Sequence, residues 1–210
     1  MKDIPMFTTE YGIASLGLHQ IPYRGEAYVT VRQAEDIAGL LEECGRFCRM
    51  CGADRVYAAG HPQLQQLPLH THVIRMRGGI RGGQTACLWP VTAENAAQWR
   101  QIYNEKMKRV DNALLFSSAE ERQLYEQSGA CFVHDGEKLL GIGWLRDKEL
   151  LALASVVPGA GKVVLQTILS LAGEEPVTLE VASTNTKAIA LYEKMGFIQT
   201  EILRSWYCVQ

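Results

Sequence analysis

The sequence predicts a mixed α/β (α+β) fold in two parts, and three observations predict it. Short runs in which apolar and polar residues alternate are interleaved with longer stretches of apolar residues three and four apart, so strands and helices share the chain. A single glycine-rich break, Arg77 to Gln84 (RGGIRGGQ), puts four glycines into eight residues, a backbone freedom that helix and strand interiors do not keep. The 210 residues, 47% apolar and 21% charged, can fill one large core or two small ones. The expected division falls near residue 82, giving an N-terminal α/β segment, 1–82, and a larger domain, 83–210.

In the first part, Tyr11 to Leu18 and Ala27 to Val31 read as strands by alternation. Glu35 to Cys51 reads as a helix, because Ile37, Leu40, Leu41, Cys44, Phe47, Cys48 and Cys51 recur at helical steps, with Gly52 placed to end it. Arg55 to Ala59 and His70 to Met76 are two further strands. The helix contains CGRFCRMC, a C-x3-C-x2-C spacing that also serves iron–sulfur ligation, and His61, His70 or His72 could be enlisted for a zinc site. The helical register argues for a plainer role, since steps of four and three stack the thiols on the face of Leu40 and Leu41, where small polarizable side chains pack well. No metal is expected.

In the second part, Thr85 to Val91 is a strand and Glu94 to Val110 a helix with Trp99, Ile102, Tyr103 and Met107 on one face. A shorter helix, Ala119 to Gln127, follows. Ala130 to His134 and Leu139 to Leu145, joined at Asp135-Gly136, form a hairpin. Leu150 to Val157 is a third apolar strand, Lys162 to Ala172 a helix, Val177 to Ala182 a strand, Thr186 to Met195 a helix and Ile198 to Val209 a last strand. The resulting order is β-α-α-β-β-β-α-β-α-β.

One stretch carries chemistry: Val181 to Phe197, VASTNTKAIALYEKMGF. Asn185, Ala188 and Tyr192 share one helical face, Gly196 sits at a C-cap position and Phe197 leads into the next strand. An amphipathic helix with a glycine stop accounts for the periodicity without any function. The residues Asn185, Ala188, Leu191, Tyr192, Lys194, Gly196 and Phe197, however, resemble the N-x-x-A-x-x-L-Y-x-K-x-G-F signature of the GNAT family of N-acetyltransferases. The element order of residues 84–210 is similar to that fold as well, a largely antiparallel twisted sheet flanked by helices.

The resemblance implies an acyl-CoA-dependent N-acyltransferase moving acetyl from acetyl-CoA to a primary amine by direct attack. It places the cofactor between the strands Leu150–Val157 and Val177–Ala182, with contacts from Val156 and Val157, and its pyrophosphate on the loop and helix start at Gly159, Gly161, Lys162 and Val163. A helix N-terminus suits an anion through its unpaired N–H donors and dipole. Asn185 and Ala188 would line the cofactor arm, and Tyr192 would protonate the departing thiolate. Glu180, on the strand beside the gap, is the first candidate for the general base, with His134 and Glu149 behind it. The phosphate loop departs from the family pattern: Val156-Val157-Pro158-Gly159-Ala160-Gly161-Lys162-Val163 keeps V-x-P and one G-x-G but is about two residues shorter and lacks the Arg or Gln. A non-catalytic acyl-CoA-binding or sensor protein is therefore the alternative function.

A net charge of −2 leaves no electrostatic footprint for nucleic acid or an anionic membrane, and no apolar run has the length of a membrane span or signal peptide. Six cysteines without such a signal suit a reducing cytoplasm. The expected partner is a small-molecule or peptide amine; Trp99, Tyr103, Asp111 and Glu120 are candidate pocket residues. ADRVYAAG and EPVTLEVAS, and likewise VIR (73–75) and ILR (202–204), hold matching places in the two parts. The first part thus reads as a degenerate half-copy of the second, without the Asn-Ala-Leu-Tyr face, able to wall the acceptor pocket or to form a homodimer.

Overall fold

The computed structural model describes residues 2–79 and 86–209. Its chain divides into two compact units, Met1–Val73 with Ile202–Gln210, and Ile74–Glu201. The expected boundary at 82 and the start of the strand at Thr85 lie outside the described residues.

The first unit begins with β1 (Ile4–Thr9), β2 (Gly12–Gly17) and β3 (Glu26–Ala34), paired antiparallel in that order. A four-residue helix, α1 (Ile21–Arg24), carries Pro22 in its first turn. Helix α2 (Ile37–Met50) then carries the chain to β4 (Arg55–Ala59), which pairs parallel with β3 from Glu26↔Arg55 to Thr30↔Ala59. The Asp36 side chain caps α2 by accepting from the Ala38 N–H at 3.0 Å. At its other end Gly52, at φ 95°, and Ala53 donate to Arg49 and Cys48 carbonyls, the double bond of a Schellman stop. Cys44 and Cys48 are fully buried among Leu40, Val29, Val56 and Ala58. Burial pushes their thiols up to about 12 and about 11, so they sit as small apolar groups in the helix seam.

On the opposite face, Tyr28, Tyr57 and Trp206 form a cluster with Val73. Beside it lies a fully buried Glu26, bound by Arg24 Nε at 2.8 Å, Arg55 Nη2 at 3.1 Å and the Tyr28 hydroxyl at 2.8 Å. The last strand of this unit comes from the far end of the chain: β11 (Ile198–Val209) pairs antiparallel with β4 through Tyr207–Val209.

In the second unit, β6 (Cys87–Pro90), β7 (Ala130–His134), β8 (Leu139–Arg146) and β9 (Glu149–Ser155) pair antiparallel in sequence, and β10 (Val177–Ala182) pairs parallel with β9. Next to β10 comes β5 (Leu69–Gly78), whose Ile74–Gly78 end belongs to this unit. Helices α3 (Ala96–Met107) and α4 (Glu121–Glu126) cover one face, where Trp99, Tyr103 and Leu124 pack on Phe132, Ile142, Trp144, Ala152 and Ala154. Helices α5 (Gly161–Leu169) and α6 (Thr186–Lys194) cover the other, where Val164, Leu165, Ile168, Tyr192 and Met195 meet Leu150, Val177, Leu179 and Val181. The unit is thus a mixed, largely antiparallel sheet flanked by helices.

Several expected elements shift. The helix expected over 94–110 is shorter at both ends, because the Thr92 N–H is taken by the Asn95 side chain at 2.8 Å and the chain after Met107 turns toward Asn112, at φ 57°. The strand expected to run to Val157 stops at Ser155: the N–H groups of Val156 and Val157 both donate to the Leu140 carbonyl, and a turn at Pro158-Gly159 follows. Strand β1 was not expected at all. It contains Pro5, its pairing with β2 is irregular between Ile4 and Phe7, and it lies at an edge, the place where proline is tolerated.

Candidate active site

The parallel pair β9–β10 is the origin of the site. Its register consists of Glu149↔Thr178 and Leu150↔Leu179 and then ends, although both strands continue, to Ser155 and Ala182. The cause lies in β9. Against β8, Trp144 faces Ala152 and Leu145 faces Leu150, so Leu151 is an extra residue, a bulge. A bulge bends its strand and strengthens the local twist, and here it swings β9 away from β10 directly after the last rung. Beyond that rung lie two facing strand edges with unpaired backbone groups, able to receive an extended chain by strand addition.

The open end of this gap leads to α5. Val157-Pro158-Gly159-Ala160 closes as a turn with the Ala160 N–H donating to the Val157 carbonyl at 3.1 Å and Gly159 at φ 82°. Proline followed by a glycine at positive φ is the type II arrangement. The nine-residue α5 starts immediately afterwards with no side-chain cap, and the N–H groups of Gly161, Lys162 and Val163 have no acceptor among the described residues. Of the six loop residues expected to hold the cofactor, Val156 and Val157 therefore have their N–H donors engaged with Leu140. Gly161, Lys162 and Val163 present theirs, and Gly159 shapes the turn. A Cβ on Gly159 would meet no atom within 4 Å, so the space beside the turn is open, whereas one on Gly161 would lie 3.3 Å from Leu191 Cδ2, a tight contact that favours glycine at the helix start.

Helix α6 explains most of the sequence signature in structural terms. Asn185 is its N-cap, with Oδ1 accepting from the Ala188 N–H at 3.3 Å, which leaves the side-chain NH2 as a donor. At the C-terminus, the Gly196 N–H (residue φ 78°) donates to the Glu193 carbonyl and the Phe197 N–H to that of Tyr192, both at 3.0 Å. This is a Schellman stop with its accompanying apolar contact, here between the rings of Tyr192 and Phe197, 5.8 Å apart. The motif thus clamps Tyr192. Its side chain is 9% exposed, and its hydroxyl makes no hydrogen bond among the described residues. Burial pushes that hydroxyl up to about 12, with Tyr103 adding to the effect. Tyr192 and Tyr103 belong to clusters on opposite faces of the sheet.

Glu180 is the first β10 residue past the last rung, as Leu151 is on β9. Val177, Leu179 and Val181 point to the α5–α6 core, so Glu180 points to the other face, where it is half-exposed and bound by Arg75 Nη2 at 3.3 Å. The weaker base candidates are placed elsewhere: His134 Nδ1 accepts from the Gly136 N–H in the hairpin turn at 3.2 Å, and Glu149 lies on the last-but-one rung, opposite Arg146. Among the expected pocket residues, Trp99 is fully buried with its N–H on the Cys131 carbonyl, and Tyr103 stacks on it at 5.4 Å. Glu120 closes a capping box with Ser117. Asp111 accepts from the Thr184 hydroxyl at 2.7 Å, one residue before Asn185. Sequence reasoning missed Leu151 and Arg75. The first depends on a register that no local pattern reveals; the second lies on a strand about a hundred residues from β10 in sequence.

A buried tyrosine lies behind a parallel pair that opens onto a bare helix N-terminus, an arrangement with the donors to receive an extended ligand with an anionic end. Residues 96–197, from the first residue of α3 to Phe197, match the model of the Acetyltransferase (GNAT) family; the chain carries a GNAT acetyltransferase domain over those residues. Among solved structures, a GCN5-related N-acetyltransferase from Kribbella flavida is similar at a TM-score of 0.59 and 12% identity, over 95% of this chain and 58% of that one. A GCN5-related N-acetyltransferase from Sphaerobacter thermophilus gives 0.52 and 14%, over 93% and 75%. A functionally unknown conserved protein from Staphylococcus epidermidis gives 0.57 and 11%, over 96% and 91%. At such identities the likeness is one of fold. No curated protein matches the sequence. Among the described residues no helix is long and apolar enough to cross a membrane, and no group of three or more His, Cys, Asp or Glu side chains could hold a metal ion.

Proposed function

We propose that the second unit is an acyl-CoA-dependent N-acyltransferase that moves an acetyl group to a primary amine by direct attack. The observation that supports this reading best is the β9–β10 ladder ending after Leu150↔Leu179 at the end that leads to the uncapped start of α5. The acyl-CoA would lay its pantetheine arm along the freed edges and its pyrophosphate on the N–H groups of Gly161, Lys162 and Val163, with the Lys162 ammonium as a point charge. The Asn185 NH2 would hold the arm beside Ala188. The unpaired backbone at Leu151 would face the thioester oxygen as negative charge develops on it. The Tyr192 hydroxyl would donate to the departing sulfur, and Glu180 would take the proton of the acceptor ammonium.

The first unit supports a single cofactor site per chain. Its βαβ element, β3–α2–β4, has the same order and sense as β9–α5–β10, and we read it as a degenerate copy. Five consecutive rungs keep its strands together, and the Asp36 carboxylate already occupies the helix start. Acetyl-CoA turnover against a panel of amines, followed by release of free thiol, tests the proposal. Binding of one acetyl-CoA per chain with no thiol released would point instead to the binding or sensor function, which the shortened turn favours.

A further inference from the structure

We propose that Arg75 and Glu201 are positioning residues for Glu180, holding its carboxylate at the acceptor side of the gap and setting how readily it takes a proton. The inference rests on the transferase reading above and names two groups which that reading does not require. Arg75 stands on β5, beside β10. Its Nη2 lies 3.3 Å from Glu180 Oε1 and its Nη1 2.6 Å from Glu201 Oε1, on β11. The Thr200 hydroxyl, next to Glu201, donates to the Arg75 carbonyl at 3.2 Å, which ties the β11 backbone to that of β5 at the same level.

The three side chains are 39%, 44% and 51% exposed for Arg75, Glu180 and Glu201, open enough for a substrate to reach. No other charged group among the described residues pairs with any of them. On β9 the residues past the last rung, Leu151 to Ser155, are uncharged, and Arg77, two residues beyond Arg75 on β5, forms no ion pair with either carboxylate.

One guanidinium between two carboxylates leaves a net charge of −1 beside the gap, which favours approach of an ammonium group. It also pulls Glu180 in opposite directions. The cation favours the ionised form, and a second carboxylate competing for that cation, with the shorter contact, disfavours it. The shared guanidinium holds both carboxylates at fixed places beside the gap. In the reaction, Glu180 takes one proton from the acceptor's ammonium. The nitrogen lone pair forms the C–N bond, the C–S bond breaks, and the second nitrogen proton is lost to solvent as the thiolate gains one. Ammonium and thioester give amide, thiol and one proton, which Glu180 passes to solvent.

The test is the pH dependence of kcat/KM for the amine in Arg75→Gln, Glu201→Gln and Glu180→Gln, all at half-exposed positions. Arg75→Gln should move the acidic limb to higher pH and Glu201→Gln to lower pH, each by roughly half a unit to one unit. Glu180→Gln should lower the rate on the order of a hundredfold and remove the limb. A merely structural trio would lose activity without opposed shifts; a limb unmoved, moved the same way in both variants, or retained in Glu180→Gln overturns the proposal. Titration of the Glu180 side-chain carboxyl by 13C NMR in the same variants reads the opposed shifts without turnover. Opposed shifts in a protein that releases no thiol with any amine would sink the transferase reading and leave the Arg75–Glu201 control of Glu180 standing. An unmoved carboxyl titration would sink that control whatever the turnover.

Discussion

Replacing Tyr192 by Phe separates structure from chemistry at one atom. The hydroxyl removed makes no hydrogen bond among the described residues and ends a side chain that is 9% exposed, on a ring held by Phe197 and the Schellman stop. No protein hydrogen bond is lost with it, so its removal should change stability by no more than about 1 kcal/mol. For a chain of this size that keeps the Tm within roughly 2–4 °C of the parent. Activity should fall. A hydroxyl pushed up to about 12 lies some three to four units above an ordinary thiol, so giving its proton up entirely to a thiolate is uphill by about 5 kcal/mol. It therefore acts mainly as a hydrogen-bond donor to the leaving sulfur, in the class of contact whose loss costs about 10² to 10³ in kcat, or 2.7–4 kcal/mol. Stopped assays of thiol release paired with thermal unfolding read both quantities. A kcat within threefold of the parent, or lost activity accompanied by a Tm several degrees lower, would refute the reasoning, because the hydroxyl would then be idle or structural.

Other outcomes follow from the same geometry. Gly159→Ala puts a side chain at φ 82° in open space, so the cost is backbone strain of about 1 kcal/mol; a lower Tm with weaker CoA binding checks it. Lys162→Glu should weaken CoA several-fold at low salt, and the difference should shrink at high salt as the charge is screened; calorimetry at two ionic strengths decides. Glu26→Ala leaves Arg24, 5% exposed, buried without its carboxylate, and should cost about 3–5 kcal/mol in chemical denaturation. Burial raises the Cys44, Cys48 and Cys131 thiols from 9.0 to about 12, about 11 and about 11. Folded values above unfolded ones mean that their contribution is fully present below about pH 9 and is lost as pH rises through 11 to 12. The Tm should be flat with respect to these thiols below pH 9 and fall above it, and Cys131→Ala should soften that fall.

What could be read from the sequence was whatever is local. The α2 seam of Leu40, Leu41, Cys44 and Cys48, the hairpin at Asp135-Gly136, and α6 with its Gly196 stop all announce themselves through periodicity and capping chemistry within a dozen residues. The cysteine spacing uses the same steps of three and four as a helix, and its apolar neighbours place Cys44 and Cys48 in the α2 seam, where the structure buries them. What could not be read was relational. Whether β9 and β10 stay paired depends on the single extra residue Leu151, and the apolar run LLALASVV gives no sign of which residue is surplus. Arg75 was invisible as a site residue because its partners, Glu180 and Glu201, are joined to it by strand order alone. Glu120 looked like a pocket acid until the Ser117 N–H and hydroxyl claimed it at 2.7 and 2.8 Å.

The assignment of chain segments to the two units has a practical consequence for dissecting the protein. Ile202–Gln210 counts with the first unit and Ile74–Val91, so far as it is described, with the second. A cut in the glycine-rich stretch would therefore yield two fragments that each lack a strand and expose a bare edge, with the active-site fragment losing Arg75 as well. Co-expression of the two pieces, rather than either alone, is the route by which a severed chain should recover its fold, since each piece holds the strand that the other needs.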